Sequence, residues 1–167
     1  MIDLLFNFKF FRYLIKWYYL RKVKSHQGEL FLGPTKTILT RNTILGRNPN
    51  FNGFVIQGLG CVKIGDNFHS GEHCRAITSN HNFNGEAVPY DNTMIHKDII
   101  IGNNVWFGYG VIVLGGVTIG DGAIIQAGSV VVNDIPYCGI AGGAPARVFK
   151  YRDKEKYERL VAEGKFH

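Results

Sequence analysis

The chain has 167 residues, 46% of them hydrophobic, with 21 glycines, three cysteines and a formal net charge of +6. That size and balance suit one globular domain and exclude a disordered chain. Lys9, Arg12, Lys16, Arg21, Lys22 and Lys24 stand against Asp3 alone in the first 24 residues, so the remainder is nearly neutral and a general nucleic-acid surface is excluded.

Residues 3–24, DLLFNFKFFRYLIKWYYLRKVK, are dense in aromatic and basic side chains. Leu4, Phe8, Phe11, Ile15 and Tyr18 or Tyr19 recur at helical spacing and predict an amphipathic helix, the first of three segments (1–25). No uncharged run approaches the roughly 18 residues that a membrane-spanning helix needs. The charges and the lack of a small-residue cleavage site also argue against a secretory leader. Two uses of the helix stay open. It packs against the rest of the chain or a neighbouring subunit, or it lies on an anionic membrane surface. The expected location is the cytoplasm, at the inner face of the membrane in the second case. Cys61, Cys74 and Cys138 are odd in number, have no metal-type spacing, and fit free thiols in a reducing compartment.

The second segment, 26–150, is organised by sixes. Residues 26–57 are irregular, with Ile38 and Ile44 six apart, and predict one or two imperfect opening coils. From Gly58 the sixes run GLGCVK, IGDNFH, SGEHCR, with Cys74 in a small inward column. The register then breaks over a polar, turn-rich loop, residues 79–98. A long loop leaving a rigid scaffold is usually functional. The sixes return as IGNNVW, FGYGVI, VLGGVT, IGDGAI and IQAGSV, ending at Val131. Their first column, Ile101, Phe107, Val113, Ile119, Ile125 and Val131, is wholly apolar. Their fifth column, Val105, Val111, Val117, Ala123 and Ser129, is small or β-branched.

A helix would rotate such columns around its axis, so a period of six selects short strands and turns. Three strands close a triangular coil of roughly 18 residues, and stacked coils form a β-solenoid. First-column side chains then fill the interior, fifth-column ones sit near corners, and second-column glycines relieve crowding or supply positive φ. The Pro- and Gly-rich stretch 133–148 is predicted to end the solenoid. In the last segment, 151–167, RDKEKYERLVAE reads as a helix over 152–163, with Tyr157, Leu160 and Val161 as its stripe and Gly164 as its stop.

The loop start Asn80-His81, the block from Ile101 to Gly108 with Gly116-Val117-Thr118-Ile119-Gly120, and Ala127 to Val131 followed by Ile135-Pro136 and Gly143 to Val148 resemble the hexapeptide-repeat acyltransferases. The likeness is greatest to the sugar O-acetyltransferases of galactosides, maltose and bacterial polysaccharides. It covers roughly residues 58–150. It implies an all-β fold, a left-handed parallel β-helix, which lies between the N-terminal amphipathic helix and the short C-terminal helix read from their spacing. It also implies acetyl-CoA as co-substrate, no metal, and a homotrimer with sites between subunits.

The resemblance makes His81 the general base. An imidazole with an ordinary pKa near 6.5 suits proton removal from a sugar hydroxyl. The positions it places along coenzyme A are Trp106, Gly108, Tyr109, Ala127, Val132, Asn133, Arg147 and Lys150. Arg147 and Lys150 would supply charge for phosphates. Two departures stand out: Val132-Asn133 replaces a frequent Thr-Lys, and Tyr109 replaces a small residue. On the acceptor side, Gly58-Leu59-Gly60 stands where the galactoside enzymes carry a sugar-binding aspartate, leaving Glu72, Asn80, Asn82 and Asn84 as polar candidates. His69 and His73, four apart, lack the spacing of a zinc cluster, and His96 is expected on the loop surface.

The expected reaction is acetyl transfer to a hydroxyl of a sugar or cell-surface glycan precursor. The alternatives are a streptogramin, chloramphenicol or amino-sugar N-acetyltransferase and, in another class, a non-catalytic β-helix scaffold.

Overall fold

The computed structural model describes residues 9–166. Residues 1–8, with the predicted stripe positions Leu4 and Phe8, lie outside the described residues, as does His167. The first helix, α1 (Lys9–Lys22), closes on Arg21 and Lys22, cations that complement the negative end of a helix dipole. Tyr19 and Leu20 pack on the core, and Val23 behind them is buried. The Tyr19 phenol donates to the Thr37 carbonyl, and Lys16 pairs with Glu29 at 3.0 Å. Helix α1 therefore packs against the rest of the chain, the first of the two uses read from its sequence.

From Ser25 to Tyr151 the chain winds as a three-sided β-solenoid. The first face stacks Ser25–His26, Thr43–Leu45, Val62–Ile64, Ile99–Ile101 and Thr118–Ile119. The second stacks Phe31–Leu32, Asn50–Phe51, His69–Ser70, Trp106–Phe107, Ile124–Ile125 and Gly139–Gly143. The third stacks Phe54–Gln57, Cys74–Ile77, Ile112–Leu114 and Val130–Val131. Neighbours are parallel and in register: Thr43 lies beside Val62, and Val62 beside Ile99. The irregular opening stretch forms two coils, the earlier closed by a bridge from Ile38 to Val55.

All six first-column and all five fifth-column side chains are buried, so the period of six is the period of the core. Phe51, Phe54, Phe68 and Phe107 fill the lower prism, Phe68 meeting Phe107 edge-on at 5.1 Å. Second-column glycines serve close approach between coils. A Cβ on Gly108 would meet the Ala127 nitrogen at 2.6 Å. Positive φ falls instead in the fourth column, on Asn104, Gly110, Gly116, Gly122 and Gly128.

The corner between the first and second faces carries two side-chain ladders. Asp66 accepts from the Arg47 N–H at 2.8 Å, Asn103 from the Asp66 N–H at 2.8 Å, and Asp121 from the Asn103 N–H at 2.8 Å. Beside them Asn67 donates to Asn104 at 2.8 Å, and Asn104 to the Tyr157 hydroxyl at 2.9 Å.

The Pro- and Gly-rich tail does not end the solenoid where the sequence predicts. Gly139–Gly143 adds a further strand to the second face, and Ala146–Tyr151 folds back antiparallel on it. The glycines that look like terminators make the reversal, with Gly143 at φ +97, and the returning strand covers an edge that would otherwise invite pairing. The second helix, α2 (Lys154–Ala162), follows. Asp153 caps it by accepting the Lys156 N–H at 3.0 Å, and Gly164 at φ +64 stops it.

Candidate active site

Among the described residues, the six-residue winding is interrupted at the corner between the third and first faces, where the chain leaves after Ile77 and returns at Ile99. Both ends are tied down. The buried Thr78 hydroxyl donates to the Gln57 carbonyl at 2.9 Å and accepts the Gly60 N–H at 3.1 Å. The Asp98 carboxylate accepts the Cys61 N–H at 2.7 Å. Between these anchors Ser79–His81 pairs antiparallel with Met94–His96, Met94 opposite His81 and His96 opposite Ser79. Directly opposed residues project to the same side, so Ser79, His81, Met94 and His96 share one face of the hairpin. Ser79 Oγ lies 2.6 Å from His96 Nδ1 and accepts the Leu59 N–H at 2.9 Å. His96 is exposed, as predicted, and stands in the stem of this hairpin.

His81 is exposed, and the Tyr90 ring stacks on it with centroids 3.8 Å apart and planes 15° apart. The neighbouring turn puts Tyr90 there. The Asp91 carboxylate accepts the Glu86 N–H at 3.0 Å, the Thr93 N–H at 2.8 Å and the Thr93 hydroxyl. Those bonds, the Thr93 hydroxyl's foremost, hold the Asp91 carboxyl below its ordinary pKa. Asn82 belongs to the same turn: its amide donates to Thr93 Oγ1 at 3.1 Å and its carbonyl accepts the Asn84 N–H at 3.1 Å. Asn80 and Asn84 are exposed. Tyr90 has no periodic signature in the sequence; only the fold of the loop brings it to His81.

The residues expected along coenzyme A divide between two places. One is the corner between the second and third faces. Here Tyr109 is exposed, its carbonyl accepts the Gly128 N–H at 2.7 Å, and its ring meets His73 edge-on at 5.2 Å. Gly108 and Ala127 lie at the same corner, and Arg147 faces Gly142 on the capping strand above. On the adjoining face Trp106, Ile124, Ile140 and Lys150 form one cross-coil row, with Trp106 49% exposed. The row is about 14 Å long at the usual spacing between strands. The other place is the corner of the His81 hairpin, where Val132 and Asn133 are exposed after Val130–Val131.

Within one chain, then, His81, Asn80, Asn82, Asn84, Val132 and Asn133 share one corner, and Gly108, Tyr109, Ala127 and Arg147 share another. The third face lies between them. Glu72 stands with the second group, beside His73 and one coil below Tyr109, away from the three asparagines. His69 is in the second face, facing Asn52 at 3.3 Å, and His73 stands at φ +59 at the Tyr109 corner, so neither adjoins His81. Among the described residues no three His, Cys, Asp or Glu side chains gather as a metal site. Around His81 the side chains of Leu59, Phe83, Val88 and Met94 are exposed, an apolar rim next to a polar loop. A separate cavity of about 460 Å³ opens between the second face and α2, lined by Trp106, His69, Arg152, Tyr157 and Phe166 among others. No residue of the His81 loop reaches it.

The solenoid is similar to that of known proteins. The family model for the bacterial transferase hexapeptide (six repeats) matches residues 98–133. Galactoside O-acetyltransferase of Escherichia coli strain K12 is 39% identical over 121 residues, 70% of this chain and 59% of that protein. The chain spans about half the length of the curated relatives it matches. Among solved structures, a maltose O-acetyltransferase from Clostridium difficile 630 is 30% identical with a TM-score of 0.70, covering 90% of this chain and 81% of that one. A galactoside acetyltransferase in complex with coenzyme A is 27% identical with a TM-score of 0.60, covering 80% of this chain and 69% of that one.

Proposed function

Because this chain belongs to the hexapeptide-repeat family of bacterial transferases, we propose that it transfers an acetyl group from acetyl-CoA to a hydroxyl of a sugar or glycan precursor, with His81 as general base. The observation that carries this reading is the placement of His81: it stands exposed on a hairpin anchored at both ends, its ring plane set by Tyr90. An accessible imidazole held in one orientation is what removal of a hydroxyl proton requires.

The step balances as follows. The acceptor hydroxyl gives its proton to the imidazole while its oxygen bonds to the thioester carbonyl carbon, and the carbonyl oxygen takes negative charge. Collapse of that intermediate breaks the carbon–sulfur bond. The imidazolium returns its proton to the departing thiolate, leaving the ester and free coenzyme A. Arg147 and Lys150, exposed on the capping strand, are the cations for the phosphate end of the donor, with Trp106 along its path. Arms of a donor lying there and a hydroxyl at His81 must meet, yet one chain puts them at different corners. A cyclic homotrimer that sets the His81 corner of one copy against the Tyr109 corner of the next completes the site. The apolar rim around His81 supports this, since such patches mark interfaces.

The test is thiol release from acetyl-CoA by the wild type and His81→Ala across sugars, nucleotide sugars and antibiotics. We expect acceptor-dependent release that falls about 10²–10⁴-fold in the variant. Release undiminished by His81→Ala would remove the base from the proposal. Absence of both turnover and coenzyme A binding would favour a scaffold. The exposed Leu59 beside Ser79 favours one second reading, an acceptor with an apolar surface such as an antibiotic. The same panel decides between them.

A further inference from the structure

Helix α1 shows water the side that a surface helix normally hides. Tyr13, Leu14, Trp17 and Tyr18 are exposed, Tyr13 at 67%. With Arg21 they fall at i, i+1, i+4, i+5 and i+8, one face of a helix. The opposite face, Tyr19, Leu20 and then Val23, is already engaged with the solenoid. The exposed side is therefore a second apolar surface left over after packing, where a soluble helix ordinarily carries charge.

The charges beside it are of one sign. Arg21 stacks on the Trp17 ring at 4.4 Å, and Lys22 lies 5.6 Å from the Tyr18 ring centroid. A recess of about 510 Å³ at the end of the helix is lined by Trp17, Tyr18, Arg21, Lys22 and Arg41: two aromatic rings, three cations and, among the described residues, no carboxylate. Lys24 follows, exposed. Among the described residues, the acid that pairs with α1 is Glu29, through Lys16.

Aromatic rings in a plane with cations around them match the boundary between lipid headgroups and acyl chains. Trp and Tyr settle at that depth, and Arg and Lys meet phosphates. We propose that the Tyr13–Leu14–Trp17–Tyr18 face of α1 docks on an anionic phospholipid surface, with the Arg21–Lys22–Arg41 recess receiving a headgroup phosphate. The occupant is lipid because one anion site and an adjoining apolar surface call for a ligand that is charged at one end and greasy beside it. A free phosphate would use only the recess, and a second copy of this cationic face would be repelled. Docking would hold the solenoid at a membrane by its opening coil, with the His81 hairpin two coils further along the same corner that carries Arg41.

The experiment is co-sedimentation of the full chain with vesicles of phosphatidylcholine alone and of phosphatidylcholine mixed with phosphatidylglycerol. Wild type is compared with Trp17→Ala/Tyr18→Ala and with Arg21→Glu/Lys22→Glu; Trp17, Tyr18 and Arg21 are exposed and Lys22 is half-buried. The expected result is binding to the mixed vesicles that salt weakens. It should fall at least about tenfold in the charge-reversal variant and clearly in the aromatic variant, with thiol release toward a soluble acceptor unchanged. Equal binding to both vesicle types, binding that either variant leaves intact, or no binding at all would overturn the proposal. So would a smaller oligomer for the aromatic variant in the absence of vesicle binding, since the face would then join copies of the chain. Saturation by inorganic phosphate without vesicle binding would reduce the recess to an anion site and overturn the membrane assignment.

Discussion

His81 gains its orientation from a neighbour nine residues on, not from the strand it ends. Tyr90 covers one face of the imidazole, and Asp91 fixes the turn that carries Tyr90. Replacing Tyr90 by Ala should leave the solenoid folded and lower kcat about tenfold or more while changing the acceptor KM less, because lost orientation weakens the reacting geometry more than binding. Steady-state kinetics beside thermal melting would show this; an unchanged kcat would mean that the stack is incidental. The thiols give a second test at this scale. Burial pushes the Cys74 thiol up to about 11 and raises that of Cys138, and only the thiolate is an effective nucleophile. At pH 8 the folded chain should therefore be alkylated by iodoacetamide first at half-buried Cys61. Peptide mapping that finds Cys74 modified as fast would contradict its burial.

At the scale of elements, each coil is locked to the next by backbone pairing inside the faces and by side-chain ladders at one corner. The Asn48–Asn67–Asn104 ladder ends on Tyr157 and so fastens α2 to the solenoid. Tyr157→Phe keeps the packed ring and deletes the acceptor of the Asn104 amide, so it should cost about 1 kcal/mol in denaturant unfolding. Phe107→Ala removes the ring that meets both Phe54 and Phe68. That change should cost about 3–5 kcal/mol, because neighbouring coils fixed by hydrogen bonds cannot collapse into the space. The capping hairpin follows the same logic. Gly139–Gly143 and Ala146–Tyr151 close the second face, so the molecule's last parallel strand is not left bare.

At the scale of the whole molecule, the separation of the two groups of site residues argues for assembly. If sites form between copies, mixed oligomers of His81→Ala and Ala127→Trp subunits, each inactive alone, should regain about one quarter of wild-type activity at equal proportions, since one junction in four joins the two intact halves. Refolding the two variants together and measuring thiol release would show it. No recovery would place the whole site within one chain. Such a site would need the donor to cross the third face, where Arg75 is exposed and Ile112 is half-buried.

The sequence by itself determined the coil, the columns that fill it and the place where the coil is interrupted. These are local matters: a strand three residues long followed by a turn repeats its demands on side-chain size every six positions, so they are written along the chain. The fold decided the rest. Tyr90 over His81, the amide ladder ending on Tyr157, and the strand that folds back through Gly143 each join residues whose spacing carries no period. The use of α1 was equally hidden. Its aromatics are on both sides, and only packing against the first coil showed that Tyr19 and Leu20 go inward while Trp17 and Tyr18 stay in water. Which side of a helix with aromatics on both sides is buried depends on the surface it meets, and that surface exists only once the chain has folded.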